Sequence, residues 1–449
     1  MKTIKIAGLL LIALALNTAQ ATTYYVRSSG GSNSNDGKTP TTAYQTLDKA
    51  FNHPALTDGD VVDIQGTFDY AISKTLKNSI TIQGTDKSKT ILNGQEGAVK
   101  NCFNIGDWKL TENQVKVVIE NVTFQNFDNY SEDRGTTGGA ISVNSGASLT
   151  CKNVNFIANQ SYLGGAINMG AATLVLEDCY FANNKALNFP NNLDTSNPGL
   201  YADGGAVNVT VGSTVKVNDE TVTNTGNVSL TINCCTFEGN GADRNASAVR
   251  FRTETTGKAT CIIQNSTFTA NTLEAKTNDT GGVILIDNKT ENSDIQLINN
   301  TIAFNASKST KSNAKAGFAI VGDKSAKVVL KNNILFSNLN AESTPKSTSI
   351  YSAVSLKESK NNITDATASQ FNFDKKTVSG GSAGNINDAT ADKLELSTTL
   401  ANNGGATTTL VLKAKSIAVN AGATDVPETD QRGVKRDKTP DVGAYEYKK

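Results

Sequence analysis

The sequence predicts an all-β chain wound as a right-handed, single-stranded parallel β-helix, and three observations predict it. One template recurs: apolar, any, apolar, any, Asn, small or apolar, any, Phe, two residues, Asn. Within each copy the apolar residues alternate with period two, which lines one face of a strand, whereas a helix would repeat every 3.6 residues. Between copies stands a Gly-Gly pair followed by Ala and Ile or Val, at Gly138-Gly139-Ala140-Ile141, Gly164-Gly165-Ala166-Ile167 and Gly204-Gly205-Ala206-Val207. Such self-similarity marks a solenoid, in which no coil buries its apolar side alone and stacked neighbours share one core.

The first 21 residues read as a signal peptide. Lys2 and Lys5 give the positive end, the apolar run from Ala7 to Leu16 is too short to span a bilayer, and Ala19-Gln20-Ala21 is a cleavage site. The mature chain is expected to be exported (secreted, at a cell surface or outer membrane, or in the periplasm) and to carry no transmembrane segment. Residues 22–60 are expected to form an N-terminal cap with a short helix whose apolar stripe is Tyr44, Leu47 and Phe51.

Residues 61–365 are expected to form the coils, each with three short strands: one after Gly-Gly, one before the Asn, one at the Phe. The key position falls at Phe124, Phe156, Phe181, Phe237 and Phe268, read as one inward column. Asn153, Asp178 and Asn265 mark a neighbouring corner, where a left-handed residue turns the chain and stacked amides can bond along the axis. The largest insertions are 185–203 and 210–228, and the 56-residue interval from Phe181 to Phe237 leaves room for an extra coil. Residues 366–449 are expected to cap the open C-terminal end of the core.

Composition narrows the function. The chain has 42 basic and 42 acidic residues, and removal of the leader leaves 40 against 42. That balance carries no basic excess for nucleic acid. A single histidine, His53, beside Pro54 in a predicted turn, excludes His-rich metal sites and Ser-His-Asp chemistry. The six cysteines have no zinc spacing. They read as buried free thiols in preference to a bridge between Cys179 and Cys235, which share a position in consecutive copies.

Alternation also identifies the outward residues of the strand column after Gly-Gly: Ser142, Asn144, Asn168, Asn208, Thr210, Arg250, Arg252, Leu285 and Asp287, with Asp203, Asp243, Arg244 and Asp279 in nearby loops. Asn168, Asn208, Asp203, Arg250, Arg252 and Asp287 form the candidate groove, since paired guanidinium groups beside amides suit an acidic sugar. The competing reading is a solvated Arg–Asp pair with no ligand. No close group of carboxylates is apparent for calcium-dependent or hydrolytic chemistry.

The GGA[I/V] and F-x-x-N elements resemble those of polymorphic outer-membrane protein passengers and, more broadly, the pectate-lyase-like β-helix superfamily. The opening Tyr24-Tyr25-Val26 … Asn35-Asp36-Gly37 … Asp58-Gly59-Asp60-Val61-Val62 resembles the start of such proteins. The ending Ser416-Ile417-Ala418-Val419-Asn420-Ala421-Gly422 … Asp430-Gln431-Arg432-Gly433 … Arg436 … Asp441-Val442-Gly443-Ala444-Tyr445-Glu446-Tyr447 resembles a choice-of-anchor Q domain, with its charged residues read as structural ion pairs. The function expected is that of a monomeric exported protein, adhesin-like or binding polysaccharide or a host or cell-surface glycan, without catalysis or cofactor. The alternative is a polysaccharide lyase or glycoside hydrolase acting on an acidic glycan, with Ca²⁺ if a lyase; a purely structural surface protein is the third class.

Overall fold

The computed structural model describes residues 20–69, 73–95, 97–98, 100–109, 113–130, 136–188, 202–212, 214–217, 220–223, 226–254, 257–274, 281–308, 316–322, 328–341, 350–352, 358–366 and 384–449. The expected leader, up to residue 19, and Asp279 lie outside the described residues. The chain is a right-handed parallel β-helix. A first sheet runs from Thr23–Arg27 to Glu358–Lys360, and a second from the far half of Val61–Asp69 to Ile363–Thr364. A third, after the Gly-Gly turns, runs from Lys74–Leu76 to Ile350–Ser352. A fourth column of two-residue strands, from Asp128–Asn129 to Leu339–Asn340, was not expected from the sequence.

The helix Leu47–Phe51 starts at Thr46, whose hydroxyl accepts the Lys49 N–H, and it buries Leu47, Ala50 and Phe51. Tyr44 is buried with them, and the Phe51 ring lies 5.3 Å from that of Phe103, so this helix closes the N-terminal end of the core. Thr23–Arg27 already pairs in parallel with Val61 to Gln65, which places the first strand of the solenoid inside the expected cap.

Phe124, Phe156, Phe181, Phe237 and Phe268 face inward in successive coils, with ring centroids 5.3, 4.8, 4.6 and 4.6 Å apart and planes nearly parallel. All five are fully buried. Phe181 registers directly on Phe237, so the interval holds no extra coil. Its surplus goes into the loop after Ala186, described only in part, and into an antiparallel hairpin of Thr214–Val217 with Glu220–Thr223.

The corner residues Asn121, Asn153, Asp178, Cys234, Asn265, Asn299, Asn332 and Asn361 all have left-handed φ, between 48° and 57°. Asn153 Nδ2 donates to Asn121 Oδ1 at 2.7 Å, but the continuous amide ladders stand elsewhere. One comprises Asn159, Asn184, Asn240, Asn271, Asn305 and Asn338, each Nδ2 donating to the next Oδ1 at 2.8–2.9 Å. The other comprises Asn300, Asn333, Asn362 and Asn385. Each ladder residue sits one position after the left-handed residue. Its Oδ1 also accepts a corner N–H of the neighbouring coil, as Asn240 does from Asn184 N. A buried turn otherwise leaves that donor without a partner.

At the start of the described C-terminal segment Ile386 pairs in parallel with Ile363, and Asn385 adds to the amide ladder of the last coil. Residues 401–449 lie along the side of the solenoid, over the outer face of the second sheet. Gln431 Nε2 donates to Thr236 Oγ1 and to the Cys235 carbonyl; Arg436 Nη2 donates to Asn265 Oδ1. Ala444 N donates to Thr301 Oγ1, Ala423 N to Asn332 Oδ1, and Asn361 Nδ2 to the Ala421 carbonyl. Five successive coils are thus tied to one strap. Leu394, Leu410, Leu412, Ala418 and Val442 pack on Ala303, Ile334, Phe336 and Ile363, which accounts for apolar residues on an outward face. Within the strap, Arg432 donates to Asp430 Oδ2 at 2.7 Å and Arg436 pairs with Glu446 at 3.3 Å, all four side chains buried.

All six cysteines are buried and unpaired. Cys179 and Cys235 are neighbours across one coil boundary, and burial pushes the Cys234 thiol up to about 12. His53 is half-buried against Tyr24, its ring centroid 4.7 Å away, and its Nδ1 accepts the Ala55 N–H.

Candidate functional site

The six candidate groove residues do lie together on the outer side of the third sheet. Asn168, Asn208 and Arg250 register in one column, with Thr210, Arg252 and Asp287 in the next. Three of them are closed off from solvent, while Asn168, Arg252 and Asp287 are half-buried. Asn208 is fully buried, and Asp203 and Arg250 are 1% and 4% exposed. The reason lies in the Gly-Gly turns. Gly138, Gly164 and Gly204 take φ of 65–68°, and the chain folds back so sharply that a Cβ on Gly138 would sit 2.1 Å from the Ile141 carbonyl oxygen. The residue before each turn then lies against the strand after it. Thr137, Leu163, Asp203 and Asn245 form their own parallel column there, and Ser142 Oγ donates to the Thr137 carbonyl at 2.7 Å.

This return path brings Asp203 onto Arg250. The two side chains form a buried ion pair, with Arg244 3.6 Å from the same carboxylate oxygen. Arg252 pairs with Glu254 and stands 3.7 Å from Asp287; burial and the Arg250 charge draw its guanidinium below its ordinary value. Asn208 Nδ2 donates to Asn168 Oδ1 at 2.7 Å and to Thr210 Oγ1. Both arginines face carboxylates of the same chain, so the strip works as an internal charge network. Turning Arg250 outward for an anionic sugar would leave the Asp203 carboxylate buried with only Arg244 near it.

An open site is present at a different corner, which the sequence reading missed. A cleft of about 500 Å³ lies where the second sheet turns into the fourth, lined by Asp69, Asn93, Gln95, Asn126, Asp128 and Gln160. Asn126 has φ 57° and Ala158 φ 53°, which turn the chain away and leave the recess between coils. Asn93 organises its floor: its Nδ2 donates to Asp69 Oδ1 at 2.7 Å, and its Oδ1 accepts from Gln125 Nε2 and Asn126 Nδ2. Asp128 is held by the backbone N–H groups of Gly97 and Tyr130. Among the described residues lining it there are two carboxylates and no Lys, Arg or His. Asp69 and Asn93 precede the first clear template copy, so repeat alignment gave no reason to connect them with Gln125.

No group of three or more His, Cys, Asp or Glu suited to a metal is found among the described residues. No described helix is long and apolar enough to cross a membrane.

No family model matches the chain, and no curated protein does. Solved structures similar to it include pectate lyase Pel9A, with 15% identity, 95% of this chain and 96% of that chain covered, and TM-score 0.46. XylC in complex with xylose gives 8% identity, 95% and 99% coverage, and TM-score 0.40. A rhamnogalacturonan lyase gives 13% identity, 77% and 82% coverage, and TM-score 0.34.

Proposed function

We propose that the chain is an exported, adhesin-like β-helix that binds a polysaccharide or cell-surface glycan without turning it over. The observation that carries this reading is the open corner cleft, whose walls are side-chain amides and carboxylates held in place by hydrogen bonds to one another and to the backbone. Sugar hydroxyls both donate and accept, and Asn and Gln side chains offer both partners at fixed positions. A pre-organised site of that kind loses little entropy on binding. Its two carboxylates, without a cation among the described lining residues, favour a neutral glycan over an acidic one. The leader-like residues 1–21, the outer-membrane-passenger-like repeats and the choice-of-anchor Q-like ending support export and display at a surface. Binding of this kind requires no cofactor.

A glycan array with the mature chain tests the proposal, followed by calorimetry and a turnover assay on each hit with and without Ca²⁺. Saturable binding to a neutral glycan, weakened by Asn93→Ala, is expected, and the glycan should be recovered intact. Release of unsaturated or reducing sugar ends would replace the reading with a lyase or a hydrolase respectively.

A further inference from the structure

The outer face of the second sheet lies under the strap, and on the third sheet the return segment lies against the Asn208 and Arg250 column. The outer face of the first sheet is different. Register from Lys116–Glu120 to Ser293–Ile298 places Val118, Thr150, Val175, Thr231, Ile262 and Gln296 in one outward column across six strands. All six are half-buried. Gln296 Nε2 donates to Asp294 on its own strand, and no hydrogen bond or ion pair joins the column to another segment of the described chain. Val118, Val175 and Ile262 belong neither to the core nor to the apolar cluster under the strap. Elsewhere on this solenoid, outward apolar residues such as Ile334 and Phe336 have a cover.

Charge is absent from the middle of this face and present at its rim. The column beside the central one begins at Lys116 and ends at Asp294, with only Ser148, Thr173, Ser229 and Thr260 between them. On the other side Lys152 and Glu177 meet each other at 3.9 Å. Neither Lys116 nor Asp294 has an ion-pair partner among the described residues. Depletion of charge at the centre, within a polar rim, is what separates the middle of a protein interface from ordinary surface. Lone charges of opposite sign at the two ends of one column are self-complementary, because a copy turned end for end brings each onto the other.

We propose that, in place of the expected monomer, two copies of the chain pack first sheet on first sheet through this face. The two-fold axis runs along the strands, between Thr173–Glu177 and Val228–Asn233, so the two solenoid axes point in opposite directions. Lys116 of each copy then meets Asp294 of the other, Val175 meets Thr231, and Thr150 meets Ile262. Six strands about 4.8 Å apart and three outward columns about 6.6 Å apart cover roughly 1,200 Å² on the two copies together, the size at which specific interfaces begin. The corner cleft and the strap belong to other faces, so the pair carries two open clefts. The dimer does not depend on what those clefts bind.

Sedimentation velocity of the full mature chain, from about 1 to about 100 μM, should show a concentration-dependent species of twice the chain's mass. Val175→Lys sets a charge against Thr231 at the centre and should leave only monomer, with an unchanged circular dichroism spectrum because the side chain points outward. Lys116→Glu sets like charges opposite each other and should weaken the dimer about tenfold or more. Adding Asp294→Lys should restore it to within about twofold, a rescue that a general loss of stability does not produce. A wild-type chain that stays monomeric over that range would overturn the proposal, as would a dimer indifferent to Val175→Lys and to the charge reversal. A monomer whose binding to insoluble cellulose or chitin is lost in Val175→Lys would overturn it too, and would give this face to a polysaccharide in place of a second copy.

Discussion

The arginine strip on the third sheet and the open cleft where the second sheet turns into the fourth stand on different coils of one solenoid, and they differ in how far they face solvent. The strip has the richer chemistry by residue type, with two arginines, two acids and two amides. The return segment before each Gly-Gly turn lies against its Asn208 and Arg250 column, Arg252 and Asp287 beside it are half-buried, and each guanidinium is matched by a carboxylate. The cleft has weaker credentials by residue type, but no strand of the described residues lies across it. In a solenoid the outer face of a strand is thus not by itself a surface, because the next turn of the chain can lie on it.

That contrast predicts opposite responses to loss of an acid. Asp203→Ala leaves Arg250 charged and buried, and should cost about 3–5 kcal/mol of stability. Asp69→Ala, at an exposed position, should stay within about 0.5 kcal/mol. Urea unfolding of both variants checks this, and equal costs would erase the distinction between the two regions.

A lesion in the shared core should not discriminate between them. Phe181→Ala removes one ring from the stacked column and should cost about 3–5 kcal/mol. Hydrogen exchange should show amides of the strip and of the cleft losing protection together. Loss confined to one region would mean that the coils do not behave as one cooperative unit.

Much of this architecture is legible in the sequence, for a physical reason. Coil stacking repeats one environment every turn, so Phe124 to Phe268 must recur in register, and a left-handed corner admits Asn153, Asp178 and Asn265 with little strain. What was not legible depends on where the chain goes between strands. Alternation places Arg250 outward correctly, but it does not reveal that Asp203 folds back onto it. The amides that form the continuous ladder, such as Asn240, follow the turn residue; the template contains them, but period-two reasoning does not assign them to a buried column. The strap 401–449 shows its charges in sequence but not its course along the side of the solenoid.

A smaller effect concerns the other place where charges are buried together. Burial raises the Asp441 carboxyl from its ordinary value of 3.8 to about 6, against the N–H groups of Asn420 and Tyr447 that favour its ionised form. The folded state therefore holds this proton more tightly than the unfolded chain. The stabilisation is full below the ordinary value and is lost as pH rises through about 6. The melting temperature of the wild type relative to Asp441→Asn should accordingly fall between about pH 4 and about pH 7. A difference that rises over that interval would mean that the carboxyl is ionised in the folded strap.

The central claim, that ligand is taken at the open cleft and not at the arginine strip, is tested most directly by affinity for one neutral glycan identified on the array. Two folded double variants would be compared with the wild type by calorimetry at two salt concentrations. Asn93→Ala with Gln160→Ala should weaken binding about tenfold or more, while Arg250→Gln with Arg252→Gln should leave affinity and its salt dependence within about twofold of the wild type. The reverse pattern, with full affinity in the cleft variant and loss of binding in the arginine variant, would contradict the account.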